Sequence, residues 1–231
     1  MPPIIFTLIT LFTLATTAVF DVPAPPPPDL SADEIAGLTY MVEEEKLAHD
    51  VYVALYDVWD TPVFNNIAAA ETTHAAAVGR LLDRYGIANP ATTNPPGVFT
   101  DPDLQALYDR LVVEGSASRA AAFAVGATIE EVDIADLQAR LATSHHADIT
   151  AVYSALLRGS GNHLRAYVKQ WDQATGQTYT PQVLSAADYA AILGASNGNG
   201  NGNGRGGGGG RWGQSRVPGQ ARQPGPSVVR P

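Results

Sequence analysis

Charged side chains sit at the centres of apolar helical stripes in four separate segments, and this constrains the fold more than any other feature of the sequence. Leu38, Met41, Glu45, Ala48, Tyr52, Leu55 and Trp59 recur at three- and four-residue steps, one face of a helix. Val63, Ile67, Ala70, Glu71, His74, Val78, Leu81 and Tyr85 mark a second stripe. Phe123, Ala127, Glu130, Ile134, Leu137 and Leu141 mark a third, and Ile149, Val152, Tyr153, Leu156, Ser160, His163 and Tyr167 a fourth. Each stripe needs a partner surface, and an unpaired carboxylate buried in it costs several kcal/mol. Four helices that turn Glu or His inward therefore predict a helical bundle with a cation at its centre.

The boundaries follow from caps and breakers. Ser31 with Glu34 three residues on resembles a capping box and opens the first helix. Asp60-Thr61-Pro62 ends it and starts the second, with Thr61 as the cap and Pro62 in the first turn. The second helix spans about Pro62 to Tyr85 and stops at Gly86. The Pro-, Thr- and Asn-rich stretch from about Ile87 to Thr100 is long for a bundle connection and reads as a crossover packed along the body. Leu104, Leu107, Tyr108 and Leu111 mark a short extra helix closed near Gly115. The third long helix spans about Ser118 to Ala142, and the fourth begins after His145-His146. Gly159 and Gly161 weaken it by about 1 kcal/mol each and predict a bulge or kink just before His163. A short C-terminal helix, Ser185 to Leu193, is stopped by Gly194. The fold class is all-α: a four-helix bundle with two short additional helices.

The ends differ from this body, which spans residues 31–194. Residues 4–20 are apolar and uncharged, and 1–18 reads as a signal peptide, with a retained membrane anchor as the alternative. Residues 19–30 form a proline-rich linker, so the body is expected outside the cytoplasm, secreted or in the cell envelope. Residues 195–231, Asn-Gly repeats followed by Gly, Arg and Pro, cannot bury apolar surface and read as disordered. This tail holds Arg205, Arg211, Arg216, Arg222 and Arg230 and no acid, so a formal net charge of −9 leaves −14 on the rest. An acidic body argues against nucleic-acid binding by the folded domain, while the tail's partner is left open. The absence of cysteine excludes disulfides, zinc–thiolate sites, iron–sulfur clusters and thiol catalysis.

Glu71-Thr72-Thr73-His74 places a carboxylate and an imidazole three residues apart, on one helical face, where both can reach one ion. Glu45, Glu71, His74, Glu130 and His163 are the candidate metal ligands. Glu131 competes with Glu130 but is less well centred, and Asp133 lies at the stripe's edge. Within the triplet Glu43-Glu44-Glu45, Glu43 points away toward solvent and Glu44 sits at the border. His49 falls slightly off its stripe, and His145-His146 reads as an exposed loop pair. Oxygen and imidazole donors without sulfur suit iron or manganese, with zinc as a further choice.

The segments EEEKLAHDVYVALYDVW, ETTH, LLDRYG, VGATIEEVDIADL and GSGNHLRAY together resemble the ferritin-like family catalogued as domain of unknown function 2202. Glu45, Ala48 and Tyr52 also resemble the first-helix element of rubrerythrin-like relatives. The resemblance covers about residues 35–170 and implies a ferritin-like bundle, in a superfamily that binds two iron or manganese ions and reacts with dioxygen or peroxide. It puts Glu45, Glu71, His74 and Glu130 or Glu131 at ligand positions. A second Glu-x-x-His would need Glu where this chain has Ser160, so the site is asymmetric, holds one ion, is inactive, or uses Asp133 instead. The functions this implies are a non-haem mono- or di-iron oxidoreductase of ferroxidase or peroxide-reducing type, a non-enzymatic envelope binding module, or a metal store. Its partners are then metal ions and dioxygen or peroxide, and a homodimer is compatible with any of the three.

Overall fold

Six α-helices and one 3-10 turn account for the regular structure of residues 29–195, the part of the chain that the computed structural model describes; no strand occurs among them. They are α1 (Ala32–Trp59), α2 (Pro62–Tyr85), α3 (Pro102–Ser116), α4 (Arg119–Thr143), α5 (Ala147–Thr175) and α6 (Ala186–Gly194), with the 3-10 turn at Pro90–Thr92. Residues 1–28, which include the segment expected to be a signal peptide and most of the proline-rich stretch, and the tail from residue 196 lie outside the described residues. Among those described, no helix is long and apolar enough to cross a membrane.

The helix ends largely follow local chemistry. The Ser31 hydroxyl accepts from the Glu34 N–H, and Glu34 Oε2 accepts from the Ser31 N–H, closing the expected capping box. Gly86, at φ 66°, takes the left-handed conformation that ends α2. Thr61 departs from expectation. It occupies the N-cap position, but its hydroxyl donates back to the Trp59 carbonyl and caps nothing. The turn is made instead by Asp60, at φ 46°, a residue type that tolerates this conformation. α5 runs as one continuous helix through Gly159 and Gly161. Tertiary packing overrides the glycines' weak helix propensity there.

α1 packs most extensively on α2, and α4 on α5; α1–α4 and α2–α5 contacts join the two pairs. α3 lies against α4 and α1, and α6 against α5. Two apolar clusters result. One gathers Tyr52, Leu55, Phe64, Phe123, Ile134 and Tyr167, and the other Leu38, Met41, Val78, Leu82, Leu137 and Leu156. On α1, α2 and α5 the polar candidates fall between the stretches that build these clusters, so they form a polar layer between two apolar ones.

The long connection after α2 does pack along the body, and Glu43 helps to hold it. Expected in solvent, Glu43 is instead buried, and its carboxylate accepts from the Thr100 and Asp101 N–H groups at 2.6 and 3.0 Å. Lys46 pairs with Asp50 at 2.6 Å and donates to the Pro95 carbonyl, and Asp50 accepts from the Gly97 N–H. These contacts satisfy loop backbone groups that would otherwise face the protein unpaired.

Candidate metal centre

Glu71 is the hub of the polar layer. Its Oε2 lies 2.7 Å from His74 Nδ1, one helical turn on, and its Oε1 lies 2.8 Å from His163 Nδ1 on α5. Glu45 Oε2 of α1 comes within 3.3 Å of His74 Nδ1, and Glu130 Oε2 of α4 within 3.5 Å of His163 Nδ1. Glu71, His74 and His163 each offer one donor atom within 4.8 Å of the others. The imidazoles stack with centroids 5.4 Å apart. The structure thus brings together all five leading candidates, one or more from each long helix.

The surrounding residues fix this geometry. Tyr52 donates to Glu130 Oε1 at 2.6 Å, leaving the other oxygen for the centre. Gly159 backs onto His74: a Cβ there would meet Cε1 and Nε2 of the ring at 2.6 Å. Only a bare backbone lets the ring lie where its Nδ1 edge faces the carboxylates. The sequence marks Gly159 only as a weak helix residue, because its partner lies on another helix. Phe64 and Tyr167, both fully buried, close the layer on one side. A cavity of about 570 Å3 between α1, α2 and the loop that follows α2 counts Glu71 among its lining residues, with Lys46, His49, Asp50, Thr72 and Arg80.

The remaining candidates separate. Glu131 is fully buried but turned away, and accepts from the Tyr179 hydroxyl and the N–H groups of Gln182, Val183 and Leu184. It anchors the segment before α6, and its acceptor capacity is used there. Asp133 faces the layer, and the Ser160 hydroxyl donates to its Oδ2. His146, expected to be exposed, lies half-buried with Nδ1 2.7 Å from Glu34 Oε1, which ties the starts of α1 and α5. His49 stays partly exposed beside Asp50.

Electrostatics give the layer its chemical character. Burial raises the Glu71 carboxyl, but His163 and His74 outweigh it and hold the group down at about 2. Burial lowers both imidazoles, yet the adjacent carboxylates carry His74 up to about 10 and His163 to about 11. Burial is the largest cause for the other acids, followed by their negative neighbours. It pushes Glu45 and Glu44 well above the usual range, raises Glu130, and brings Asp133 to about 8. Carboxylates outnumber the imidazoles facing them. Glu45 Oε1, Glu71 Oε1, Asp133 Oδ1 and both Nδ1 atoms are buried without a hydrogen bond of acceptable geometry. Carboxylate oxygens and imidazole nitrogens gathered this closely fit a divalent cation, which would displace the imidazole protons and offset the acids.

An all-helical protein with a buried Glu/His cluster between its helices is the class that fold and site define. The chain belongs to the family described as "Uncharacterized protein domain (DUF2202)", whose model matches residues 34–196, from the first turn of α1 to just past α6. It is 44% identical over 171 residues to uncharacterized protein MJ0754 of Methanocaldococcus jannaschii, covering 74% of this chain and 92% of that one. The crystal structure of hypothetical protein MJ0754 from Methanococcus jannaschii superposes with a TM-score of 0.71 at 43% identity, covering 75% of this chain and 99% of that one.

Proposed function

We infer that this is an exported ferritin-like bundle protein that holds iron, as one ion or two, and works as a non-haem oxidoreductase of ferroxidase or peroxide-reducing type. The observation that carries this reading is the convergence of Glu71, His74 and His163 within 4.8 Å in a buried layer. Residues of this layer come from α1, α2, α4 and α5, the four long helices that pack as two joined pairs. Manganese or zinc would suit the same donors. The export reading comes from the apolar segment at residues 4–20.

Bound iron would supply the electrons that reduce dioxygen or peroxide. The chain's own contribution is to hold and orient. Glu71 holds both imidazoles in register, Glu45 and Glu130 offset positive charge from opposite sides, and Tyr52 keeps Glu130 turned inward. The aromatic side excludes water, and the cavity at Glu71 admits a small oxidant. A non-enzymatic envelope module is the second reading. It is favoured by Ser160, which offers no carboxylate to the centre and binds Asp133 instead.

Turnover on iron-loaded protein separates the two. Ferric iron formation in air, or peroxide consumption, above the rate of protein-free iron supports the oxidoreductase. Iron bound with no turnover supports the module.

A further inference from the structure

Away from the Glu/His cluster, a cavity of about 360 Å3 lies between the first turns of α1, the last turns of α4 and Tyr153 of α5. Three of its lining residues hold a polar atom that is buried and has no hydrogen-bond partner: Nε of Arg140, Oγ of Ser144 and the hydroxyl of Tyr153. Tyr153 is only 2% exposed as a whole residue. Arg140 and Tyr153 converge over Gly37, which also lines the cavity. The position a Cβ would take on Gly37 is 3.1 Å from Arg140 Nη1 and 3.4 Å from the Tyr153 hydroxyl oxygen. The Arg140 guanidinium packs over the Tyr40 ring, 4.9 Å from its centroid, which steadies its plane. It makes no ion pair among the described residues, although Asp136 stands one turn away on the same helix. A buried donor without a partner costs free energy, and three at one cavity call for a common acceptor.

The lining also carries Asp33, Glu34 and Asp136. Glu34 is already engaged: its oxygens accept from the N–H groups of Ser31 and His145 and lie against His146. Asp33 and Asp136 have no ion pair among the described residues. A guanidinium flanked by two hydroxyls suits a carboxylate, which it can grip through two parallel N–H bonds. The two acids would repel a phosphate, with its greater charge, and suit an ammonium. A volume of about 360 Å3 lies at the small end of the range for ligand pockets, about 300–1,000 Å3. We propose that this cavity binds a free amino acid, its carboxylate on Arg140, Ser144 and Tyr153 and its ammonium on Asp33 and Asp136. Bare Gly37 leaves room beneath the carboxylate. The site shares no residue with the metal centre and does not depend on it.

Isothermal titration of the full chain with L-alanine, L-serine and L-glutamine tests this, with acetate, methylammonium and inorganic phosphate as controls. At least one amino acid is expected to bind at one site per chain, about tenfold or more tighter than any control. Arg140→Gln is expected to weaken that binding about tenfold or more, and Tyr153→Phe about fivefold. Without ligand, Tyr153→Phe is expected to unfold at or above the natural midpoint, since it removes a buried hydroxyl that has no partner. Its loss of affinity is then not a loss of folding. Glu71→Ala is expected to bind the amino acid as the natural chain does. No binding by any of the three amino acids overturns the proposal and leaves the three polar atoms to ordered water. A control that binds as tightly overturns the amino-acid class. Binding unchanged in folded Arg140→Gln and Tyr153→Phe, or lost in folded Glu71→Ala, puts the ligand elsewhere and overturns the site. If Arg140→Gln does not fold, Tyr153→Phe decides alone.

Discussion

Gly159→Ala and Gly161→Ala apply one change to one helix two residues apart, and the structure gives them opposite outcomes. In a helix interior Ala is better than Gly by about 0.8–1.0 kcal/mol. At Gly161 the new methyl would meet Ile192 Cγ2 at 3.6 Å and Arg165 Nη1 at 3.9 Å, ordinary contact distances. That variant is expected to gain about 1 kcal/mol, or about 2–4 °C in midpoint for a domain of this size. At Gly159 the methyl meets two His74 ring atoms at 2.6 Å. Overpacking of this kind costs about 1–3 kcal/mol, which cancels the propensity gain or exceeds it. The ring can escape only by carrying Nδ1 away from Glu71 and Glu45, so relief of the clash removes a ligand. Urea unfolding of both stripped variants, with metal content measured after reloading, reads both effects. A Gly159→Ala protein as stabilised as Gly161→Ala, with full metal content, would refute the claim that Gly159 seats His74.

Four further expectations follow from particular contacts. The raised His74 and His163 stabilise the metal-free fold fully below their unfolded value near 6.5, and lose that contribution as pH rises through about 10 to 11. Asp133 acts in the same direction, its contribution being lost as pH rises from 3.8 through about 8, whereas the depressed Glu71 loses its own only as pH falls toward about 2. Thermal midpoints of stripped protein should therefore fall from pH 6.5 to pH 10, and a flat profile would contradict this. Metal uptake in unbuffered solution should release protons, because the imidazoles must give them up to bind. Glu131→Gln should cost on the order of 2–4 kcal/mol in chemical unfolding, by weakening charge-assisted bonds to the segment before α6, with metal content unchanged. Glu43→Ala should loosen the loop near Thr100, seen as faster amide exchange there, and again spare the metal, whereas Glu71→Ala should lower metal content sharply.

The long helices and the five-residue cluster were legible because both are local in origin. Apolar stripes recur every three or four residues, and Glu71-x-x-His74 shares a face by helix geometry alone. What was not legible depends on partners distant in sequence. Glu43 looks like the start of a solvated acidic run until Thr100 and Asp101, more than fifty residues later, are laid against it. Glu131 and Glu130 compete for one stripe, and the choice between them is made by Tyr179 and the backbone of 182–184. Gly159 seemed a helix weakener because the ring it accommodates is on α2. The Ser160 substitution was visible, but the hydroxyl's bond to Asp133 was not, since it joins α5 to α4.

The central claim is that the buried Glu71–His74–His163 cluster holds a metal ion. Elemental analysis of the full chain, produced in iron-replete cells and purified without a histidine tag, measures this most directly. The account predicts at least one equivalent of iron, manganese or zinc per chain, falling well below one in Glu71→Ala protein that retains its helicity. Natural-sequence protein carrying no stoichiometric metal, and taking up none on reloading, would contradict it.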